Sequence, residues 1–270
     1  MFGRNNNPFI NNPFEYVSGI IKEADCIFFN LETVISQRPI SNIYKEDKIF
    51  NYQSNGEQLK LLRRITDADI FVSIANNHSL DYGIKGYNLT KKFLKENRFI
   101  YVDKDKMKCN NNKICFMNAT DHCGCINDKI WKDNLLIIDH NNLSDILEKV
   151  RNLSEDGKFI IFSIHWGSNY LTKIPKNLIQ TGRKLIDNGV NIVFGHSAHH
   201  IPPKVIEFYN NGIIIYGLGD FINDYAISSR FESDKALMCM VDTIDKDVLF
   251  IPVKRFFIGN GTSSIPIPIE

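Results

Sequence analysis

Four short apolar runs, each closed by a polar residue of metal-ligand type, constrain the fold of this chain more than any other feature. Cys26-Ile27-Phe28-Phe29 leads into Asn30-Leu31-Glu32, and Ile70 to Ala75 leads to His78. Phe159 to Ile164 leads into His165, and Val190 to Phe194 leads into Gly195-His196-Ser197-Ala198-His199-His200. Such runs, bounded by turn-forming residues, read as buried strands. Three of the seven histidines fall within five positions at the last of these ends. Imidazole is the commonest side-chain ligand for borderline divalent metals, and open α/β sheets bind ligands at the carboxyl ends of their strands. The repetition therefore points to a metal site on a strand-end rim, with Gly195 letting the backbone turn sharply as its strand leaves the sheet.

Helical spacing separates the runs. Asn12-Pro13-Phe14-Glu15 offers an N-cap, a proline at the first helical position and a glutamate at N3, and Phe14, Val17, Ile21 and Ala24 then share one helical face. Leu59, Leu62 and Ile65 repeat the pattern, as do Tyr87 to Asn97, Ile146 to Leu153 and Leu178 to Asn188, with Phe99 to Val102 as a further strand. This alternation predicts βα units and a largely parallel first half. Strand patterns dominate from Val205 onward: Val205 to Tyr209, a turn at Asn210-Asn211-Gly212, Ile213 to Tyr216, Ala236 to Asp242 and Val248 to Val253. Ser263 to Glu270, with its repeated Ile-Pro, is expected to be an extended tail.

With 270 residues and 43% hydrophobic content, the chain is expected to form a single domain over 1–270. A formal net charge of +1 with dispersed charges lacks the basic footprint of a dedicated nucleic-acid binder. Of the six cysteines, Cys26 and Cys239 fall in apolar runs and read as reduced or inert, and His122-Cys123-Gly124-Cys125 lacks a second ligand pair and reads as a loop. No apolar run approaches the ~20 residues of a membrane helix and Met1-Phe2-Gly3-Arg4-Asn5 is no signal peptide, so the chain as written reads as cytoplasmic.

The anchors Asn30-Leu31-Glu32, Ala75-Asn76-Asn77-His78 with Asp81-Tyr82-Gly83, His165-Trp166-Gly167, Gly195-His196 with His199, and Tyr216-Gly217-Leu218-Gly219-Asp220-Phe221 follow one another in this order. On these residues the chain resembles the capsule-synthesis CapA proteins, also called poly-γ-glutamate synthesis proteins, within the metallophosphatase (calcineurin-like phosphoesterase) fold. The resemblance implies a four-layer α/β/β/α sandwich with mixed sheets. It further implies two divalent transition-metal ions (Mn, Fe or Zn), with Glu32 bridging them, Asn77, His165 and His196 holding one, and His199 serving the other. His78 would stabilise the transition state or protonate the leaving group. The reaction implied is hydrolysis of a phosphoester, or of an amide or ester bond in an envelope polymer. The partners implied are that substrate and membrane proteins of capsule synthesis, with no nucleic acid. A non-catalytic assembly factor with a degenerate metal site is the alternative.

The residues themselves admit other roles. Glu32 taken alone reads as an N-cap or a solvated charge, and Asn77 as a turn former. Asp81 orients His78 or closes a turn, Trp166 packs beside the site, and His200 points away from His199. Asp220, where the resembled family commonly has asparagine, either adds negative charge near the metals or caps the next turn, and the turn is the favoured reading. The family's amino-end motif, Gly-Asp-x-Met-apolar-Gly-Arg, is matched only by Met1-Phe2-Gly3-Arg4. The metal-binding aspartate and the first strand that carries it would lie upstream, through a start codon assigned too late or a true truncation. That leaves Glu32 and His199 alone for the second ion, and an upstream segment would make the protein membrane-anchored or extracellular.

Overall fold

The computed structural model describes residues 12–41, 48, 50–104, 106–121, 128–139, 142–154, 157–223, 227–258 and 263–269. A 3-10 turn (Glu15–Val17) runs into α1 (Ser18–Glu23); Phe14, not Asn12, is its N-cap residue, and Asn12 Oδ1 accepts the Phe14 N–H at 3.0 Å in a turn just ahead of it. Next come β1 (Cys26–Asn30), the short strands β2 (Val34–Ile35) and β3 (Gln53–Ser54), α2 (Glu57–Ile65) and β4 (Asp69–Ser73). They are followed by α3 (Gly83–Glu96), β5 (Ile100–Tyr101), β6 (Lys108–Cys109), β7 (Ile114–Thr120), α4 (Asp128–Asn134) and α5 (Leu143–Ser154). The chain continues through β8 (Phe159–His165), α6 (Lys176–Asp187), β9 (Ile192–His196), β10 (Ile206–Tyr209) and β11 (Gly212–Ile215). It ends with a 3-10 turn (Ser229–Phe231), β12 (Lys235–Val241), β13 (Val248–Ile258) and β14 (Ser263–Pro268).

Strand alternation sorts the side chains into layers. In β1 and β4, Ile27, Phe29, Ile70 and Val72 pack with Leu59, Leu62, Tyr87 and Leu94 of α2 and α3. Their neighbours Cys26, Phe28 and Phe71 face the other way, onto Phe116 and Ile161 of β7 and β8. The far side of that second sheet, through Met117, Phe162, Val193 and Ile214, packs on Ile146 and Val150 of α5 and Leu178 and Leu185 of α6. The order helix, sheet, sheet, helix is the four-layer α/β/β/α arrangement that the resemblance implies.

One sheet has the order β1-β4-β5, all parallel, and the second β10-β11-β9-β8-β7-β6, with β7, β8, β9 and β11 parallel. A third, antiparallel sheet, β12-β13-β14, lies in the layer of the first. Its Cys239 and Val241 face Ile192, Ile213 and Ile215 of the second sheet, while Ala236 and Met238 join the helix-side core. The predicted hairpin forms: β10 and β11 pair antiparallel about a two-residue turn, with Asn210 at φ 49°.

The expected tail proves to be a strand. β14 pairs with β13 in the register Val253↔Pro268, Arg255↔Pro266, and the Ile269 N–H bonds Pro252 O at 3.0 Å. Odd-numbered residues thus turn their N–H groups inward, and Pro266 and Pro268, which have none, face outward where no donor is needed. β7 has no counterpart among the strands expected from sequence. Cys109 and Cys115, opposite each other in β6 and β7, form a disulfide, whereas Cys26 and Cys239 are free.

Candidate metal centre

The parallel pairing of β8 with β9 aligns His165 with His196, the last residue of each strand. Both imidazoles leave the sheet side by side, with Nδ1 to Nδ1 at 3.0 Å. That is the spacing of two neighbouring ligands on one ion at ~2.1 Å. His196 Nε2 lies 2.9 Å from Ser163 Oγ, one strand over. Burial pushes the His196 pKa down to about 3, which keeps the ring neutral, the form that ligates metal.

From the opposing sheet, β1 delivers Glu32 two residues past its end. Oε2 sits 3.9 Å from His165 Nδ1 and accepts the Asn30 amide at 3.3 Å, and Oε1 sits 3.9 Å from His78 Nε2. Asn76 ties the ends of β1 and β4 together. Its amide donates to Asn30 Oδ1 at 3.0 Å and Leu31 O at 2.9 Å, while its Oδ1 accepts the His78 N–H at 3.1 Å.

Asp81 lies against His78 and against the segment that carries Lys48 and Tyr52, a distant contact rather than the closing of its own turn. Its Oδ2 lies 2.8 Å from His78 Nδ1 and accepts the Tyr52 N–H at 2.7 Å, and its Oδ1 takes Lys48 Nζ at 2.5 Å. Lys48 also donates to the carbonyl of Asn77. The Tyr52 ring stacks on His78 at 3.9 Å. With Nδ1–H given to Asp81, His78 turns Nε2 toward Glu32. Burial lowers the His78 pKa, against the opposing pull of Asp81.

His199, with φ 60°, stands with Asp220, whose two oxygens lie 3.0 and 3.2 Å from Nδ1. Burial works against its charge, but the Asp220 carboxylate outweighs it and holds the imidazole at about 9, and Glu32 adds to the rise. Asp220 is burdened by burial too, yet His199 and the Asn223 amide bring it down to about 2. Asp220 is therefore a partner of His199 rather than the expected turn cap. A carboxylate behind one imidazole nitrogen leaves the other directed at a ligand.

Residues 3–225 match the model of the family described as bacterial capsule synthesis protein PGA_cap. The chain belongs to that family. It is 28% identical over 222 residues to the PGA biosynthesis protein CapA of Bacillus subtilis strain 168, covering 78% of this chain and 56% of that protein. It is 26% identical over 246 residues to the capsule biosynthesis protein CapA of Bacillus anthracis, covering 83% and 58%. The PGA_cap chain thus spans a little over half the length of these two relatives. A crystal structure of TT1561 from Thermus thermophilus aligns with a TM-score of 0.48 at 11% identity, over 88% of this chain and 90% of that one.

In the PGA_cap chain the fold gathers Glu32, His78, Asp81, His165 and His196, and sets His199 apart with Asp220. Two donor atoms test the fit to a metal: Glu32 Oε1 and Asn77 Oδ1 are buried without a hydrogen-bond partner among the described residues. A buried carboxylate oxygen costs free energy unless a donor or a cation faces it. With neutral His196 and the paired His165, this donor set suits one transition metal. A second ion would find Glu32 and His199, the latter backed by Asp220. The described residues contain no trio of His, Cys, Asp or Glu already closed to metal-binding distance.

Sequence reasoning misses Lys48, Tyr52, Ser163 and Asp220 as site residues. Lys48 and Tyr52 arrive from a loop with no periodic signal, whereas Ser163 is legible as the same-face neighbour of His165. Two neighbours are structural. His200 is buried, with Nδ1 2.8 Å from Ala198 O and Nε2 3.0 Å from Leu171 O. Trp166 is buried and donates to Tyr216 O at 3.3 Å. Gly195 does not turn the chain, because it lies inside β9, and a Cβ there would meet Trp166 Nε1 at 2.2 Å. Met1 to Arg4 and His122-Cys123-Gly124-Cys125 lie outside the described residues.

Proposed function

We propose that this chain is a metal-dependent hydrolase serving capsular poly-γ-glutamate synthesis, acting on a phosphoester or on an amide or ester bond of an envelope polymer. The observation that carries the reading is the meeting of His165 and His196 at 3.0 Å beside Glu32, whose buried Oε1, like Asn77 Oδ1, has no hydrogen-bond partner among the described residues. The names of the two Bacillus relatives supply the process. Glu32, Asn77, His165 and His196 would hold one divalent ion, and His199 with Glu32 a second. Such ions supply Lewis acidity and an activated water at neutral pH.

The chain's own groups do the rest. Asp81 holds His78 Nδ1, so Nε2 is the atom that exchanges a proton with a leaving group. Lys48 and Tyr52 keep His78 from turning away. Asp220 fixes His199 in one orientation. The Cys109–Cys115 disulfide suits an oxidising compartment, outside the cytosol.

The test is manganese content by elemental analysis, with hydrolysis of bis-p-nitrophenyl phosphate and of poly-γ-glutamate, in the parent chain and in Glu32→Ala and His196→Ala. Loss of both metal and hydrolysis in the variants is expected; hydrolysis retained in both would overturn the reading. A second reading, a non-catalytic assembly factor, draws on the ion pair that occupies His199 and leaves the second ion few ligands. It predicts that metal-site substitutions leave polymer production in cells unchanged.

A further inference from the structure

Ser163 stands two residues before His165 in β8, so both side chains share the face that looks toward the first sheet, and Ser163 is fully buried there. The β8–β9 register pairs Ser163 with Phe194 and His165 with His196, which places His196 diagonally across from the serine. Oγ lies 2.9 Å from His196 Nε2, while Nδ1 of the same ring lies 3.0 Å from His165 Nδ1. Each nitrogen of His196 thus has one neighbour, a neutral hydroxyl on one side and a second imidazole on the other. A half-turn of the ring would put carbons in place of both nitrogens and lose both contacts. The other imidazoles of the rim are held differently: Asp81 sits on His78 Nδ1 and Asp220 on His199 Nδ1. An ionised carboxylate only accepts, so it holds a ring with that nitrogen protonated, whereas a hydroxyl both donates and accepts.

We propose that Ser163 is the positioning residue of His196: its hydroxyl receives the Nε2 proton and thereby leaves the Nδ1 lone pair for a metal ion. The proposal rests on the metal reading given above. Without an ion, the close approach of the two Nδ1 atoms has room for a single proton. Whichever ring supplies it, Ser163 matches the outcome, donating to Nε2 when His196 is protonated on Nδ1 and accepting from it otherwise. When both Nδ1 atoms ligate one ion, no proton is left between them, and His196 carries its proton on Nε2. The Ser163 contact is then the one hydrogen bond on the ring among the described residues. A buried N–H without an acceptor costs free energy, and ligation draws electron density from the ring and makes that N–H a stronger donor. The hydroxyl therefore favours the ion-bound arrangement. Its neutrality matters too: a carboxylate in its place would raise the basicity of the ligand and temper the acidity of the ion.

The experiment compares the full chain with Ser163→Ala, using zinc as a diamagnetic probe ion. Long-range proton–nitrogen correlation spectra of histidine-labelled protein report which ring nitrogen of His196 carries the proton. Competition with a chromophoric chelator gives zinc affinity, and far-UV circular dichroism checks the fold. In the zinc-loaded parent, His196 should be protonated on Nε2 and ligated through Nδ1, with an N–H that exchanges slowly with solvent. Ser163→Ala removes a hydroxyl and leaves the strand otherwise intact, so it should keep the fold, bind zinc about tenfold more weakly and lose the slow exchange of the Nε2 proton. A purely structural serine would move neither the affinity nor the exchange. The proposal is overturned if zinc-loaded His196 carries its proton on Nδ1, a result read from the parent alone and independent of how the variant folds. It is also overturned if folded Ser163→Ala binds zinc within about twofold of the parent. Both of those results leave the metal reading standing, whereas a parent that binds no zinc overturns the metal reading and this proposal together.

Discussion

Gly195→Ala is the substitution whose cost the structure defines best. The new Cβ would lie 2.2, 2.5 and 2.7 Å from Nε1, Cε2 and Cζ2 of Trp166. Carbon contacts settle at ~3.5 Å, so the indole has to withdraw by roughly 1 Å. It has nowhere easy to go: the residue is 1% exposed, its ring stacks on Tyr216 at 5.9 Å between centroids, and its N–H is spent on Tyr216 O. Overpacking of this kind costs about 1–3 kcal/mol, and a stranded buried donor adds about 1–3 kcal/mol. The expected loss is about 3 kcal/mol, a large share of the ~5–15 kcal/mol that holds a domain together. Urea unfolding followed by far-UV circular dichroism measures it. Trp166→Phe replaces the indole with a smaller ring that has no N–H to strand, so the double variant should be at least ~1 kcal/mol more stable than the two single losses added together predict. Trp166 follows His165 and Gly195 precedes His196, so manganese occupancy should fall in Gly195→Ala as well. A single variant within ~0.5 kcal/mol of the parent, or strict additivity with Trp166→Phe, would refute the packing argument.

Asp220→Asn removes the carboxylate that raises His199, so its pKa should fall from about 9 to below the ordinary 6.5, as read from the imidazole proton shifts by NMR titration. A raised histidine stabilises fully below its unfolded pKa and loses that contribution as pH rises through about 9, while the lowered Asp220 loses its own as pH falls through about 2. The parent should therefore lose stability relative to Asp220→Asn between pH 6.5 and 9, and a pH-independent difference across that window would contradict the pairing. Lys48→Met leaves the buried Asp81 carboxylate without its ammonium and should cost about 3 kcal/mol in chemical denaturation, whereas an effect under ~1 kcal/mol would mark a solvated pair. Asn76→Ala cuts the links from His78 N–H to Asn30 and Leu31 and should weaken manganese binding about tenfold by isothermal titration, with the fold kept by circular dichroism.

The parts of the fold legible in the sequence are those with a strong period. Ile70 to Val72, Phe159 to Ile164 and Ile192 to Phe194 are apolar because both of their faces are covered, and that produces continuous runs. β7 has the same reason to be apolar, but Asn118 and Thr120 interrupt it at the site end, and the short run before them does not stand out from loop. β14 is hidden by its prolines, which suit an edge strand as well as a tail. At the site, the polar side chains at strand ends are readable because register brings them together. Lys48 reaches Asp81 across 33 positions from an irregular loop, and no spacing encodes that contact. Asp220 is misread because a turn-capping aspartate and one that charges a histidine look alike until the fold brings the two together.

The two margins of the β12-β13-β14 sheet are finished differently. Along β14 the outward positions carry Pro266 and Pro268, which cannot donate to an approaching strand, so that margin resists templating by a neighbouring molecule. The β12 margin carries Cys239 and Val241 and has no such guard. Self-association of concentrated or partly denatured protein should therefore nucleate there, and covering that single margin should raise colloidal solubility more than any change to the outer surface.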